Sequence, residues 1–474
     1  MIEVTGGLSI EQIAAIADRR DNAVIPPQVL SLLADAHAAA DELASRVPVY
    51  GRSTGVGANK DTAIHNGDEH AKRLLRSHAV DAGEAVPDRA VRAMLAVRLG
   101  QLALAGSGIE PFVVSSLERM LAEDALPTVR ELGSIGTGDL TALAGTALTL
   151  LGERPASRPF EPVQNWGAES ALAFISSSAL TIGRSALAVA DLRELDRVAL
   201  LVCALSFYAL DGNPQAYSAS AAGASASAGV DDAVARLRAL IGDDIQPARI
   251  QDPYALRIAG IVQGVVVTAL ERLAQQVAAL ADTAQENPLH VAGSETSDRA
   301  VVHHGAFYQA ALTAELDGMA LALAQTSTVT LSRLRLLNEP AFTGLPAFNG
   351  DGEPGASGLM MVEYVAAAAV AQIRDAAQPA ALGTVILSRG AEEDAPFAAQ
   401  AVAQLEKSVS ATRTLIACEL LGAVRTLSRR GSADRLPPAL SDVFARSLSA
   451  LGDDLSDHDL RPDLDRAVAL LGEL

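Results

Sequence analysis

The chain has 474 residues, of which 49% are hydrophobic and only 3% aromatic, and its formal net charge at pH 7 is −20. That length allows one large core or two to three domains. The acidic balance would repel nucleic-acid phosphates and anionic lipids, so we expect neither nucleic acid nor a membrane as a partner. Abundant alanine with few aromatic residues favours closely packed helices, so we predict a mainly α protein.

The sequence also predicts a cytoplasmic location. The N-terminal residues 1–4 lack the basic and then apolar pattern of a signal peptide. Both cysteines, Cys203 and Cys418, lie in apolar helical runs and are predicted to be buried packing residues rather than nucleophiles. Apolar stretches such as 366–371 are too short to span a bilayer.

The first part of the chain, residues 1–165, is predicted to be rich in loops. Ser9 and Gln12 have the spacing of a capping box and start the first helix. Residues 47–79 are rich in Gly, Ser, Asn and His, which indicates a long irregular loop of functional interest. Helices are predicted at 9–20, 27–46, 87–105 and 111–124, followed by a Gly-rich loop at 133–140 and a helix starting near Asp139.

The second part, residues 166–474, is predicted to be an extended bundle of long helices. Long apolar runs occupy 187–210, 254–284, 309–337, 360–377 and 398–429. They exceed the mean helix length of about 11–12 residues and are typical of core helices in a bundle. The Ala/Ser/Gly segment 218–229 is predicted to be a flexible surface loop. Polar linkers at 249–257, 287–305 and 388–396 separate the helices.

Several of these polar segments resemble motifs of the histidine and aromatic amino-acid ammonia-lyases. The resemblance extends over nearly the whole chain and rests on residues 50–57 (Tyr-Gly-Arg-Ser-Thr-Gly-Val-Gly), 77–78, 249–257 (Arg-Ile-Gln-Asp-Pro-Tyr-Ala-Leu-Arg), 287–288, 304–305 and 392–394. It implies the fumarase/aspartase-like fold of that family, with long central helices and a loop-rich N-terminal region. It also implies a homotetramer in which loops from different subunits close each active site.

The resemblance implies roles for the residues of these motifs. Tyr50 would take the β-proton of an amino-acid or other small carboxylate substrate, and Tyr254 is placed with it as catalytic. A free tyrosine has a pKa near 10, so Tyr50 would need cationic or helix-terminus help to ionise. Arg257 would hold the substrate carboxylate, because a guanidinium presents two parallel donors to the two oxygens. The remaining substrate-binding positions carried over are His78, Ser176, Gln251, His303 and Glu393.

The Gly-rich loop departs from the family pattern. In Gly-Ser-Val-Gly-Ala-Ser-Gly-Asp-Leu, the Ala-Ser-Gly cyclises to the electrophile methylidene-imidazolone, whereas residues 133–140 here are one residue shorter. If the gap is at the serine, Thr137 replaces the alanine and nothing can dehydrate. If the gap lies upstream, Gly136, Thr137 and Gly138 form the tripeptide, and Thr137 would give an ethylidene analogue. Thr137 or Asp139 would otherwise cap the helix that follows.

Further departures accompany the shorter loop. The family's Asn-Gly-Thr, whose Asn supports the prosthetic group, is replaced by Ser176, Ser177 and Ser178. His303 stands where the family has Phe before His-Gly, and Ala395 stands where the family has a His. We therefore predict that the imidazolone is absent, and no spacing of His and acidic residues indicates a metal.

Three hypotheses remain at this point. The first is a lyase, isomerase or cyclase that works on a small carboxylate without the imidazolone, with Tyr50 as base and Arg257 as anchor. The second is an orthodox ammonia-lyase or aminomutase for histidine or tyrosine in which Thr137 cyclises. The third is a non-catalytic homologue that binds an amino acid or a partner protein.

Overall fold

The computed structural model describes residues 1–163, 166–242, 245–291 and 300–474. The chain is mainly helical, as predicted, with 62% of residues in helices and 5% in strands. The helices are α1 (Ile10–Ala17), α2 (Pro27–Ala44), α3 (Gly67–His78), α4 (Asp88–Ala103), α5 (Pro111–Ala122), α6 (Leu140–Leu150), α7 (Ala168–Ile175), α8 (Ala179–Ala209), α9 (Ala219–Gly223), α10 (Ala228–Ile241), α11 (Tyr254–Arg257), α12 (Ala259–Ala281), α13 (Ala310–Leu337), α14 (Pro340–Thr343), α15 (Met360–Ala376), α16 (Ala398–Arg430), α17 (Pro438–Leu451) and α18 (Arg461–Leu470).

The described strands form short two-stranded pairs that join loops. In the first pair, β1 (Ile2–Glu3) lies parallel to β2 (Ala23–Val24). In the second, β3 (Ala82–Ala85) is antiparallel to β4 (Arg130–Leu132), which is the strand just before the Gly-rich loop. In the third, β5 (Leu289–Val291) is antiparallel to β6 (Ala300–Val302), with His290 opposite Val301.

The chain forms two compact units, each assembled from separated segments. The first unit comprises Met1–Ala190, Ala274–Leu316 and Pro379–Val402. Its helix α4 is buried on all sides, since every residue from 90 to 103 is inaccessible. The two arginines on this helix are satisfied internally: Arg92 donates to the carbonyl of Ile16, and Arg98 pairs with Glu286 at 2.8 Å. The division at residue 165 that was predicted from loop content lies within the first of these segments.

The second unit comprises Asp191–Leu273, Asp317–Gln378 and Ala403–Leu474. It also contains a buried ion pair, because Arg333 on α13 donates to both carboxylate oxygens of Glu419 on α16, at 2.6 and 2.8 Å. The hydroxyl of Ser206 donates to the same carboxylate at 2.7 Å. Both cysteines are buried and unbonded, and burial raises the pKa of the Cys203 thiol to about 11. That value is consistent with a packing role.

Four local predictions were wrong. The segment 47–79 is not all loop, because α3 occupies its last third, with the Asn66 side chain accepting from the Glu69 N–H. The segment 218–229 is not simply a loop, since α9 starts there and is capped by Ser218. The predicted helix 254–284 is interrupted at Ile258 and ends at Ala281. The predicted helix 187–210 starts earlier, at Ala179.

The segment Glu169–Ala209 is long and apolar enough to cross a bilayer, but 89% of its most apolar window is buried inside the fold. This burial is typical of a core helix.

Candidate active site

Tyr50 lies in a compact loop between α2 and α3. Its phenol oxygen accepts a hydrogen bond from the backbone N–H of Gly57 at 2.7 Å. The loop is tied together by its own backbone bonds, such as Gly55 N–H to Thr62 O at 3.0 Å and Ile64 N–H to Ser53 O at 2.9 Å. The small Gly55 is required here, because a Cβ would lie 2.5 Å from the carbonyl oxygen of Asn59.

Only one of the two adjacent histidines faces Tyr50. The Tyr50 backbone N–H donates to Nε2 of His303 at 3.4 Å, and the two rings meet edge to face with centroids 6.4 Å apart. His304 bonds to neighbouring backbone and side-chain groups instead. Its N–H donates to Asn287 Oδ1, and its Nδ1 accepts from the Ala306 N–H. Its Nε2 donates to the Glu286 carbonyl at 2.7 Å. His303 therefore belongs to the site and His304 supports it.

The electrostatic surroundings of Tyr50 favour the neutral phenol. Burial raises the pKa of Tyr50, the Gly57 N–H opposes this, and the negative charge of Glu392 raises the pKa further. Glu392 is thus the acidic residue that acts on Tyr50, while Glu393, predicted to bind substrate, is exposed. The next residue, Asp394, accepts a hydrogen bond from the Tyr308 hydroxyl at 2.8 Å.

The Gly-rich loop is bonded along its length to other segments of the first unit. The carbonyl of Ile135 accepts from Phe397 N–H at 2.8 Å, and that of Gly136 accepts from Gln309 N–H at 3.2 Å. Gly136 and Gly138 have φ values of +93° and +108°, a conformation that glycine adopts readily. Thr137 lies between them, half-buried, and its hydroxyl has no hydrogen-bond partner among the described residues.

Asp139 caps a helix, but not the one predicted. Its side chain makes no capping bond to α6. Instead its carboxylate accepts from the backbone N–H and the hydroxyl of Thr181, at 2.8 and 2.9 Å, and so caps α8. Its own N–H donates to the Ser177 carbonyl at 2.7 Å. Burial raises the pKa of Asp139, against the lowering effect of the bonds from Thr181 and Ser134.

Two further predicted site residues have structural partners. Ser176 ends α7, and its hydroxyl accepts from the Asn287 N–H at 2.9 Å, which joins the Asn-Pro motif to the serine triplet. His78 ends α3, and its Nδ1 lies 2.9 Å from the Leu74 carbonyl. In this position the imidazole is fixed on one side by its own helix.

The second unit contains the Arg-x-Gln-Asp-Pro-Tyr motif. Tyr254 is 66% exposed and begins α11. The Arg257 guanidinium lies 4.6 Å from the centroid of the Tyr254 ring and makes no ion pair among the described residues. Arg257 and Gln251 line a cavity of about 790 Å³, together with Asn213. An arginine that faces open space is available to an anion.

Buried side chains donate hydrogen bonds to backbone carbonyls of the short helix α11. The Tyr217 hydroxyl donates to the Leu256 carbonyl at 2.6 Å. Arg333 reaches the Ala255 carbonyl at 3.4 Å. The buried Asp252 accepts from the Asn213 N–H at 2.6 Å and from Arg249 at 2.9 Å. The backbone that carries Arg257 is thus fixed, while its guanidinium remains accessible.

The predicted site residues therefore form three groups. Tyr50 and His303 are brought together in the first unit. Thr137, Gly138, Asp139 and Ser176 form a second group in that unit, linked through the Ser177 carbonyl. Among the described residues, no hydrogen bond joins His78 or Glu393 to either group. Gln251, Tyr254 and Arg257 form the third group, in the second unit. The motifs did not reveal Gln309 or Phe397, because their bonds to the Gly-rich loop come from tertiary structure alone.

Comparison with known proteins agrees with this arrangement. The sequence profile of the family described as aromatic amino acid lyase matches residues 8–448. Histidine ammonia-lyase of Symbiobacterium thermophilum is 30% identical, and the match covers 100% of this chain and 97% of that protein. The enzyme of the same name from Deinococcus radiodurans is also 30% identical, over 98% of this chain and 92% of its own.

Solved structures show the same fold. Tyrosine aminomutase from Streptomyces globisporus superposes with a TM-score of 0.91 at 23% identity, covering 100% of this chain and 97% of that one. The ergothioneine degrading enzyme ergothionase from Treponema denticola gives a TM-score of 0.91 at 22% identity, with coverage of 100% and 98%. The fold and the resemblance expected from the motifs are both confirmed, and the chain is an enzyme of the aromatic amino acid lyase family.

Proposed function

We propose that this enzyme acts on a small carboxylate, an amino acid or a derivative of one, with Tyr50 as the proton-transfer group and Arg257 as the carboxylate anchor, and without the imidazolone. The outcome would be elimination, isomerisation or cyclisation. The observation that carries the proposal is the state of the Gly-rich loop. It is one residue shorter than the family loop and lacks the serine of Ala-Ser-Gly, and its Ile135 and Gly136 carbonyls accept hydrogen bonds from the Phe397 and Gln309 amides.

The loop residues fit the imidazolone poorly. Ring formation over Gly136, Thr137 and Gly138 would expel the Gly136 carbonyl oxygen as water, and that oxygen accepts the Gln309 N–H. The second water would come from the Thr137 hydroxyl and leave an extra methyl on the electrophilic carbon. The family's supporting Asn is also missing, and the Ser176 hydroxyl that replaces it is occupied by the Asn287 N–H.

Energetics restricts what such an enzyme can do. General acid–base catalysis contributes about 10²–10⁴-fold, which is about 3–5 kcal/mol of barrier lowering. An unactivated amino acid requires more than this, because its β-proton is weakly acidic and its ammonium nitrogen is a poor leaving group. A quaternary nitrogen differs, since it carries a fixed charge and departs as a neutral tertiary amine. The proposed substrate therefore has an activated nitrogen or an equivalent leaving group.

The orthodox reaction is a second candidate, supported by Tyr50, Tyr254 and Arg257 and by the histidine ammonia-lyases among the relatives. In that case Thr137 would cyclise, and the substrate would be histidine or tyrosine. A non-catalytic binding role is a third candidate, and the retained site residues weigh against it.

Two measurements separate these candidates. Intact mass spectrometry of the purified protein reports ring formation as the loss of two waters, and we expect the unmodified mass. Turnover is then measured with L-histidine and L-tyrosine and with their Nα-trimethylated betaines. Turnover of a betaine by unmodified protein supports the proposal. Loss of two waters with turnover of the parent amino acids would establish the orthodox reaction instead. A ligand-dependent rise in melting temperature without any turnover would indicate a binding protein.

We also propose that the enzyme is a cytoplasmic homotetramer with shared active sites. The support is a set of exposed apolar side chains on the long helices of the second unit, namely Ile261, Val265, Leu321, Met361, Tyr364 and Val365. Where exposed apolar side chains cluster on a surface, they usually mark an interface. Light scattering on the purified protein gives the test, and a stable, active monomer would contradict the shared site.

A further inference from the structure

Arg52 is the only charged side chain in the Tyr50 motif, residues 50–57, and no role in the reaction has so far been given to it. Its guanidinium Nη2 forms an ion pair with Asp41 and lies 3.8 Å from Glu169 Oε2. The side chain is only 17% exposed. Asp41 lies on α2 and Glu169 on α7, so one side chain of the loop contacts two helices of the first unit.

The carboxylates of Asp41 and Glu169 form an anionic recess, and the Arg52 guanidinium lies against both of them. Nε2 of His37 lies 3.8 Å from Asp41 and 3.9 Å from Glu169, while its Nδ1 lies 3.0 Å from the Gly108 carbonyl. The ligand atoms of His37, Asp41 and Glu169 approach within 4.8 Å of one another, close enough to hold a cation. The guanidinium supplies the positive charge at this place.

Only Gly51 separates Arg52 from Tyr50, and its backbone packs closely against a neighbouring helix. The intervening Gly51 has φ = +72°, and a Cβ at this position would lie 2.1 Å from Leu172 Cδ2, a side chain of α7. Most other bonds of the loop are internal, such as Gly57 N–H to the Tyr50 hydroxyl. A displacement of Arg52 should therefore move the phenol, because the phenol is bonded within the loop and the Tyr50 backbone has only a long contact to His303.

We propose that Arg52, held between Asp41 and Glu169, is a positioning residue that sets the location of the Tyr50 phenol. The inference rests on the proposed function in one respect: Tyr50 must be the group that transfers the proton. The inference adds that the ion cluster of Arg52, Asp41 and Glu169 holds the Tyr50 phenol in position. Arg52 itself contacts no substrate.

The test compares Arg52→Ala and Arg52→Lys with a matched control, Arg46→Ala. Arg46 pairs with Glu42 at the end of α2, but both side chains are about two-thirds exposed (66% and 64%), so the pair contributes little. With the substrate identified in the panel above, Arg52→Ala should lower kcat by about 10²-fold with a small change in KM. Arg52→Lys should fall between this variant and the wild type, and Arg46→Ala should match the wild type.

Chemical rescue distinguishes positioning from general destabilisation. Millimolar guanidinium should restore part of the activity of Arg52→Ala, because it can occupy the recess between Asp41 and Glu169. It should not help Tyr50→Phe. Chymotrypsin gives a readout that needs no substrate: cleavage after Tyr50 should be faster in Arg52→Ala and should slow again with guanidinium. Unchanged kcat and unchanged cleavage in Arg52→Ala would overturn the proposal.

The two proposals can fail separately. If Tyr50→Phe is inactive while Arg52→Ala is fully active, the positioning role of Arg52 is wrong and the proposed function stands. If Tyr50→Phe keeps its turnover while Arg52→Ala loosens the loop, the assignment of Tyr50 is wrong and Arg52 is only an anchor. If Arg52→Ala does not fold, Asp41→Asn replaces it, because that carboxylate is 48% exposed. The same changes, smaller in size, are expected from this variant, and their absence would equally overturn the proposal.

Discussion

The Tyr50 region of the first unit and the Arg257 region of the second unit are built in opposite ways. Around Tyr50 the phenol accepts from Gly57, and the backbone N–H donates to His303. Around Arg257 the backbone is held by hydrogen bonds from buried side chains. The guanidinium lies against the ring of the exposed Tyr254 and makes no ion pair among the described residues. The first arrangement is preorganised for proton transfer, and the second keeps a charge available for an anion. Changes in the first region should therefore act on kcat, and changes in the second on binding.

The largest effect is expected from Tyr50→Phe. Because the variant lacks the reacting oxygen, kcat should fall by about 10²–10⁴-fold while KM changes little. Steady-state kinetics and a thermal melt of the same sample provide the measurement. A raised KM with normal kcat would reverse the roles assigned to the two regions.

Removing one partner of the buried pair beneath α11 should affect folding rather than chemistry. Arg333→Met or Glu419→Gln should reduce the free energy of unfolding by about 3–5 kcal/mol, because the other group is left buried without its partner. Equilibrium denaturation measures this loss, and the double variant Arg333→Met/Glu419→Leu should recover much of it. A change below about 1 kcal/mol would mean that water reaches the pair, and the support under Arg257 would need revision.

Arg257→Gln should weaken substrate binding without affecting stability. The loss of a charge-assisted contact to the carboxylate should raise KM by about 10–10²-fold. The melting temperature should stay at the wild-type value, because Arg257 has no ion-pair partner among the described residues. A marked drop in melting temperature would show that the guanidinium has a structural role, and the contrast between the two regions would be lost.

The smallest effect concerns the titration of Tyr50. Glu392 raises the pKa of the Tyr50 phenol, so Glu392→Gln should lower that pKa and move the alkaline rise in activity to lower pH. The shift is measured from absorbance at alkaline pH, as the difference between each protein and its Tyr50→Phe counterpart. Glu393→Gln is the matched control and should give no shift, because Glu393 is exposed. Equal shifts in both variants would remove the special role of Glu392.

The sequence predicted the long helices well, because a sustained periodicity with few breaks leaves little choice. The predicted run 309–337 is α13 (Ala310–Leu337), and 398–429 is α16 (Ala398–Arg430). It failed at α3, where a polar composition concealed a helix that is favoured by its cap and by charges at both ends.

For the site, the motifs predicted which residue types to expect, but not the contacts that these residues make. Asp139 precedes α6 in sequence yet caps α8, and Glu392 rather than Glu393 affects Tyr50. Both outcomes depend on segments that are distant in the chain and meet only after folding. Neighbouring residues of the same type, such as the two glutamates, cannot be separated by composition or spacing.

Hydrogen bonds at both ends of the Gly-rich loop fix the length of backbone that lies between them. The Ile135 carbonyl is held by Phe397 N–H on one side, and the Asp139 N–H is held by the Ser177 carbonyl on the other. Between them the backbone has room for Gly136, Thr137 and Gly138 alone. Converting Thr137 to serine would remove the extra methyl from the dehydrated product, yet Ala-Ser-Gly also needs an additional residue between these two fixed points. Under the proposal of a ring-free enzyme, restoring Ala-Ser-Gly would therefore require an insertion together with a change in the surrounding segments.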